Sequence, residues 1–210
     1  MTSLSINPIW RIASIVTIGR IQAAGKGHFG NIFLTFDDGP HPVHTPALLD
    51  LLGTHDARAC FFLVGAECQH QPNLVNRILQ EGHAIGNHSM THRKMSRLPF
   101  REQWRELAAM DQTLASTSDL YRVAIRPPRG EVTLPILAYC LFFSRRLVLW
   151  SKDSLDGSRG PAEVVQRFRN DPVESGDRIL FHDDSGVAHE ALSTLLPEWK
   201  RLGFRFDADP

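Results

Sequence analysis

The segment from Phe33 to Pro40, Phe-Leu-Thr-Phe-Asp-Asp-Gly-Pro, constrains the fold of this chain more than any other. Four apolar or β-branched residues run into two adjacent acids, and Gly39-Pro40 then stops the run, as at the end of a buried strand that enters a tight loop. Neighbouring side chains of a strand point to opposite faces, so only an immediate turn lets Asp37 and Asp38 line one pocket. One carboxylate can then bind a cation while the other acts as a base. The alternative is a polar turn without chemistry.

The rest of the chain alternates short apolar runs with segments of helical spacing. The predicted strands lie near 59–64, 83–86, 123–126, 146–150, 178–181 and 204–206, and the predicted helices within 42–53, 71–81, 100–115, 131–143, 161–170 and 189–201. Thr45-Pro46 is interpreted as the N-cap and first residue of the first helix. The alternation predicts an α/β fold with mostly parallel strands. Polar residues that follow the strands then meet at one edge of the sheet.

The chain has 210 residues, of which 42% are hydrophobic, and this is enough for one domain with a sizeable core. Lys plus Arg and Asp plus Glu both number 23, so no net charge draws the chain to nucleic acid or anionic lipid. Three cysteines without Cys-x-x-Cys spacing indicate buried thiols in a reducing compartment.

The N-terminal residues 1–30 are interpreted as a packing or amphipathic segment, and 31–210 as the folded domain. The apolar stretch from Ile12 to Ile18 is shorter than the roughly 20 residues that a membrane-spanning helix needs. We therefore expect no transmembrane segment and a cytoplasmic location. An exported or membrane-associated protein is the alternative.

His88 and His92 are four residues apart, so one helical turn would present both imidazoles to a single metal ion. The pair follows a predicted strand, as the two acids do. Two imidazoles and one carboxylate form the three-ligand set of a catalytic zinc site, with positions left for water and substrate. A chain with ten histidines also produces this spacing by chance.

Two further predicted strands end in residues that suit catalysis. Arg126 stands before Pro-Pro-x-Gly, where a guanidinium could keep a catalytic carboxylate ionised or could simply lie at the surface. His182 follows Ile-Leu-Phe, so an apolar strand delivers an imidazole to the same edge. Asp153 and Asp156 are the candidates to orient that imidazole and to raise its pKa so that it acts as an acid.

Five segments together resemble the motifs of the polysaccharide deacetylases, a family also called the NodB homology domain or carbohydrate esterase family 4. In chain order they read Thr-Phe-Asp-Asp-Gly-Pro, His-Ser-x-x-His, Arg-Pro-Pro-x-Gly, Asp-x-x-Asp and Leu-x-His-Asp. The resemblance covers the chain from about Asn31 to the C-terminus. It implies a distorted (β/α) barrel that removes N-acetyl or O-acetyl groups from sugars with one divalent metal ion, zinc being expected and cobalt the alternative.

The resemblance implies a role for each residue by its position. The general base would be Asp37, tethered by Arg126. The general acid would be His182, with Asp156 as its partner. The metal ligands would be Asp38, His88 and His92. The substrate-binding positions would be Pro128, Arg129 and Leu180, the last of which would face the acetyl methyl.

Two residues of the implied substrate wall depart from the family pattern. Arg129 stands where tyrosine is common, and Gly157 where tryptophan is usual. Glycine cannot form the apolar wall that a tryptophan provides, so we expect a wider or wetter site. Arginine pairs well with carboxylate or phosphate, so we also expect an acetylated sugar that carries an anionic group. The alternative is that Arg129 pairs with an acid of the protein, either Asp153 or Asp184.

The residues indicate metal-assisted hydrolysis, and the resemblance implies a hydrolase that removes acetyl groups from N-acetylated sugars of a chitooligosaccharide, a peptidoglycan or a polysaccharide precursor. Three alternatives are an O-acetyl esterase of the xylan type, a non-catalytic sugar-binding domain on the same scaffold, and a phosphoesterase with an acid pair. Binding alone would need no paired acid and base such as His182 and Asp37. Aspartate-nucleophile phosphatases space their acids two residues apart, whereas these acids are adjacent. The expected partner is an acetylated sugar or glycan, and the oligomeric state is left open.

Overall fold

The structure is a computed structural model that describes residues 16–17, 30–118, 120 and 123–209. The expectation for residues 1–30 therefore lies outside the described residues, apart from a short strand at Val16–Thr17 and Gly30. Among the helices of the described ranges, none is long and apolar enough to span a bilayer.

Strands and helices alternate along the described part of the chain. The strands are β1 (Val16–Thr17), β2 (Asn31–Asp37), β3 (Ala59–Leu63), β4 (Ala84–Asn87), β5 (Leu147–Val148), β6 (Lys152–Asp153), β7 (Arg178–His182) and β8 (Arg205–Phe206). The helices are α1 (His44–Thr54), α2 (Gly65–His70), α3 (Pro72–Gln80), α4 (Phe100–Ser118), α5 (Leu134–Phe142), α6 (Pro161–Asn170) and α7 (Val187–Arg201). Two short 3-10 turns, Met95–Arg97 and Pro128–Gly130, precede α4 and α5.

The strand pairs are parallel, which confirms the predicted α/β fold. Strands β4-β3-β2-β7-β6 are neighbours in that order, β8 also pairs with β2, and β1 pairs with β5. The predicted strand at 123–126 is reduced to bridges from Ile125 to Asn87 and to Leu147, which connect β4 to β5. Pro127 and Pro128 follow at once and have no N–H to donate, so the pairing stops there.

The two faces of the central strand β2 have different neighbours. Ile32, Leu34 and Phe36 belong to the largest hydrophobic core. Side chains alternate along a strand, so Thr35 and Asp37 point to the opposite face. The register pairs them with Leu180 and His182 of β7. Asp37 and His182 therefore end two adjacent parallel strands at the same edge and on the same face.

The local structure around helix α1 differs from the expectation. The helix begins at His44, with Val43 at its N-cap position, so the interpretation of Thr45 as the N-cap is wrong. The Thr45 hydroxyl instead accepts the N–H of His41 and donates to the carboxylate of Asp183. The Thr45 hydroxyl therefore makes a tertiary contact instead of capping the helix. Helix α2 and the two-residue strand β6 were also not predicted.

Candidate active site

Asp38, His88 and His92 form a candidate metal-binding group, called the metal cluster below, and one donor atom of each lies within 4.8 Å of the others. Oδ1 of Asp38 is 3.3 Å from Nε2 of His88 and 3.1 Å from Nε2 of His92. This oxygen is buried and has no hydrogen-bond partner in the described ranges. A buried oxygen without a partner costs free energy, and a bound cation would satisfy it. Two imidazole nitrogens and one carboxylate oxygen are also the donor set of an open catalytic site.

The two histidines reach the cluster from a loop rather than from one helical turn, because the segment after β4 is not helical. Asn87 and Ser89 shape this loop. The side-chain oxygen of Asn87 accepts the N–H of Ser89 at 2.8 Å, and the Ser89 hydroxyl accepts the N–H of His92 at 3.1 Å. Ser89 and His92 both have positive φ, 71° and 52°. The expected proximity of the imidazoles is therefore present, but the expected conformation is wrong.

The imidazole of His88 is oriented by the backbone of Arg126. Its Nδ1 donates to the Arg126 carbonyl at 2.7 Å, and the ring is almost fully buried. With the proton on Nδ1, the lone pair of Nε2 is free and faces Asp38. Metal-binding histidines are commonly oriented by a contact of this kind.

Asp37 lies beside the metal cluster, in a buried ion pair with Arg126. Nη1 of Arg126 donates to Oδ1 of Asp37 at 2.7 Å and to the Thr35 hydroxyl at 2.8 Å. The guanidinium also lies 4.0 Å from the centre of the Phe62 ring, and Arg126 is fully buried. The alternative of a surface arginine is therefore wrong. Oδ2 of Asp37 points toward the cluster and lies 3.6 Å from Nε2 of His88.

His182 is held by Asp156 through both its ring and its backbone. Nδ1 of the ring donates to Oδ1 of Asp156 at 2.8 Å, and the backbone N–H donates to Oδ2 at 2.8 Å. Burial lowers the pKa of His182, but the hydrogen bond and charge of Asp156, together with the charges of Asp37 and Asp38, outweigh it and raise the pKa to about 9. The other candidate, Asp153, accepts the N–H of Leu155 instead.

Arg129 and Gly157, the two departures in the expected substrate wall, are both exposed. Arg129 is exposed, has φ 59° and makes no hydrogen bond or ion pair with the residues that the structure describes, so neither Asp153 nor Asp184 neutralises it. A Cβ atom at Gly157 would meet, within the described ranges, only the His182 ring at 3.9 Å.

The other two expected substrate positions are buried: Pro128 in the turn before Arg129, and Leu180 at 4% exposure on the same face as His182. Beside the metal cluster is an open cleft of about 420 Å³. Besides Asp38 and His92, its lining residues are Pro40, His41, Val64, Ala66, Glu67, Thr91 and Asp184.

Several residues that support the site carry no local sequence signal. Glu106, in the middle of α4, accepts the N–H and the hydroxyl of Thr91 at 2.8 Å each. The Asn87 amide donates to the Leu107 carbonyl and to Asp111 of α4. These bonds attach the start of the histidine loop, residues 88–92, to that helix. Each contact joins residues about 15 to 24 positions apart, so no motif or periodicity indicates it.

Comparison with known proteins identifies similar sequences and folds. Residues 24–140 match the model of the polysaccharide deacetylase family. A peptidoglycan-N-acetylglucosamine deacetylase of Bacillus cereus is 33% identical over 186 residues, which cover 83% of this chain and 84% of that protein. A chitooligosaccharide deacetylase of Sinorhizobium fredii is 33% identical over 190 residues, covering 83% and 87%.

Among solved structures, the Bc1960 peptidoglycan N-acetylglucosamine deacetylase superposes with a TM-score of 0.84 at 28% identity. The superposition covers 95% of this chain and 92% of that one. The parallel α/β architecture of the described residues thus matches a protein of similar sequence over nearly its whole length.

Proposed function

The chain belongs to the polysaccharide deacetylase family, and on this premise we propose that it hydrolyses the acetamido group of N-acetylated sugars in a glycan, releasing acetate and a free amine. One observation carries the proposal: a buried acid–base arrangement surrounds a metal cluster at a single sheet edge. Asp37 is paired with Arg126 and His182 with Asp156. Sugar binding alone would not require these two charged pairs, so catalysis is favoured over the non-catalytic alternative.

Asp37 is proposed as the general base. Its Oδ1 is occupied by Arg126, which leaves Oδ2 directed toward the metal cluster and able to accept a proton from water. The pairing also fixes the orientation of the carboxylate, because Arg126 donates in addition to the Val148 carbonyl at 3.2 Å and cannot move independently. The base is therefore held in position before substrate arrives.

The metal cluster is proposed to hold one divalent ion, for which zinc is our choice. Such an ion, when bound, supplies Lewis acidity toward water and toward the acetyl carbonyl. Asp38 and the two imidazoles provide the three protein ligands, and the adjoining open cleft gives access to the remaining positions.

His182 is proposed as the general acid. An amine leaves an amide readily only when its nitrogen receives a proton, and His182 with a pKa of about 9 is protonated at neutral pH. Asp156 holds Nδ1, so the proton on Nε2 is the one available for transfer. The arrangement assigns the base and the acid to two different strands, β2 and β7.

The substrate class is proposed to be a glycan with N-acetylglucosamine-type units, since the relatives are named for peptidoglycan and chitooligosaccharide. Acetate release should be measured on chitooligosaccharide, peptidoglycan and acetylxylan with metal-free protein and after addition of zinc or cobalt. We expect release from at least one N-acetylated glycan, only with metal, and loss of release in Asp37→Asn. Release from acetylxylan alone would identify an O-acetyl esterase instead. No release from any substrate by folded, metal-loaded protein would contradict deacetylation.

A further inference from the structure

The carboxyl group of Asp183 has no part in the chemistry proposed above, yet it is buried directly behind the site. Asp183 follows His182 and is 1% exposed. Its Oδ1 is buried and has no hydrogen-bond partner in the part of the chain that the structure describes. An oxygen buried in this way costs free energy, so stability alone does not account for an aspartate at this position.

Asp183 contacts the loop after β2 at three successive points. Its backbone N–H donates to the carbonyl of Asp37 at 3.2 Å. Its carboxyl group lies against Gly39, where an added Cβ would be only 2.2 Å from both carboxyl oxygens. Its Oδ2 accepts from the Thr45 hydroxyl, which in turn accepts the N–H of His41 at 2.7 Å. One residue therefore contacts the start of the loop through its backbone, and the middle and end of the loop through its side chain.

Asp38 lies inside that loop and depends on its backbone. It has φ 79°, a left-handed conformation that is uncommon outside glycine, although aspartate adopts it more readily than most residues. Within the described ranges no hydrogen bond reaches its Oδ1, so no hydrogen bond aims that oxygen at the metal cluster. The backbone from Asp37 to His41, which Asp183 contacts, places the Cα–Cβ bond from which this carboxylate projects.

We propose that Asp183 is a positioning residue that holds the loop from Asp37 to His41 and thereby directs Asp38 toward a bound cation. The inference rests on the proposed function in one respect, because it takes Asp38, His88 and His92 as the ligands of a divalent ion. The proposal also gives Thr45 a supporting role, because its hydroxyl donates to the carboxylate of Asp183. Residues of this kind, one contact removed from a metal ligand, typically contribute about 10- to 100-fold to metal affinity.

The test measures Co²⁺ binding to the metal-free protein by competition with a chelator, together with the visible absorption spectrum of the bound ion. Thr45→Val keeps the shape of the side chain and replaces the hydroxyl by a methyl group. Asp183→Ala removes both side-chain contacts and keeps the backbone hydrogen bond to Asp37. We expect Asp183→Ala to weaken Co²⁺ binding at least about tenfold and Thr45→Val to weaken it in the same direction, each with an altered spectrum. Asp183→Asn keeps the volume and an acceptor for Thr45, so it should stay within about threefold of the native affinity.

Val164→Ala serves as the stability control, because Val164 is fully buried in α6 and belongs to the large core away from the loop. It should lower the unfolding temperature without changing Co²⁺ affinity. Native affinity and spectrum in Thr45→Val and in folded Asp183→Ala would overturn the inference. If Asp183→Ala does not fold, Thr45→Val alone decides.

The readout needs no substrate, so it separates this inference from the proposed function. A protein that binds Co²⁺ in the Asp183-dependent manner but releases no acetate contradicts deacetylation and leaves the positioning role intact. A native protein that binds no Co²⁺ overturns the positioning role.

Discussion

The side chain of Arg126 holds Asp37 at 2.7 Å, while the backbone carbonyl of the same arginine accepts the Nδ1 proton of His88 at 2.7 Å. One residue thus positions both the proposed base and a proposed metal ligand. Removal of one partner from a buried ion pair leaves an uncompensated charge, which is costly. The base and the metal cluster are therefore coupled through Arg126, and a change at either should be judged by metal content as well as by rate.

Asp37→Asn and Asp38→Asn should separate the base from the metal ligand. Asp37→Asn removes the proton acceptor but no ligand, so turnover should fall at least about a hundredfold while metal binding persists. Asp38→Asn removes the negative charge of the carboxylate whose oxygen lies between the imidazoles and replaces one of its oxygens by an amide NH2, so metal affinity should fall as well. Metal content by elemental analysis and turnover by acetate release provide the check. Equal metal loss in the two variants would show that the roles are assigned wrongly.

Asp156→Asn should move the alkaline limb of the pH–rate profile to lower pH. The hydrogen bond and charge of Asp156 outweigh the effect of burial and, with the charges of Asp37 and Asp38, raise the pKa of His182 to about 9, so removal of the Asp156 charge should lower that pKa. With His182 in its proposed role as the general acid, activity requires the protonated imidazole and should be lost as pH rises through the pKa of His182. The measurement is kcat/KM against pH for the metal-loaded protein.

Asp153→Asn is the matched control for that experiment, since the Asp153 carboxylate lies in the same segment but accepts the Leu155 N–H instead of the imidazole proton. The alkaline limb of the pH–rate profile of Asp153→Asn should lie at the same pH as in the native protein. The ion pair of Asp156 with His182 also affects stability. Because the pKa of His182 is raised in the folded state, the pair stabilises the fold fully below about pH 6.5, and this contribution is lost as pH rises toward 9. An unchanged profile in Asp156→Asn would exclude His182 as the acid.

The residues of the site that could be found from sequence all follow apolar runs. Asp37, His88 and His182 end or follow strands β2, β4 and β7, and the ends of parallel strands converge at one edge whatever the details of the loops. That general property placed them together correctly even though the histidine loop is not helical. Local pattern therefore predicts which residues meet, but not the backbone conformation by which they meet.

The supporting contacts could not be predicted, because they depend on distant residues. Asp183 and Thr45 are 138 positions apart, and the Thr45 hydroxyl had a plausible local use as a helix cap. Glu106 is one acid among several polar residues of α4, and nothing in its spacing distinguishes the face that contacts Thr91. Such roles emerge only when the helices pack against the loops that follow the strands.

Gly157→Trp should be tolerated and should narrow the site. Gly157 is exposed, and within the described part of the chain a Cβ there meets only the His182 ring at 3.9 Å, so a larger side chain would begin in open space. We expect an unfolding temperature close to that of the native protein and a changed KM for glycans. As a contrast, Gly86→Ala places a Cβ 2.2 Å from the Phe62 ring and should destabilise the fold by about 1–3 kcal/mol. A large stability loss in Gly157→Trp would show that the space is filled.

Arg129→Tyr should change the preference between neutral and anionic acetylated sugars. Arg129 is exposed, and no acid of the described ranges pairs with it, so its charge is available to a substrate. A partly exposed ion pair contributes up to about 1 kcal/mol, which corresponds to a change of roughly three- to fivefold in the ratio of the two kcat/KM values. The ratio should move toward the neutral sugar in Arg129→Tyr and stay near the native value in Arg129→Lys. Arg205→Gln controls for net charge. Arg205 lies in β8, which pairs with Asn31 and Ile32 at the start of β2, whereas Asp37 ends that strand. If Arg129→Tyr leaves the ratio unchanged, the ratio does not depend on the charge of the arginine. The arginine then does not select an anionic substrate.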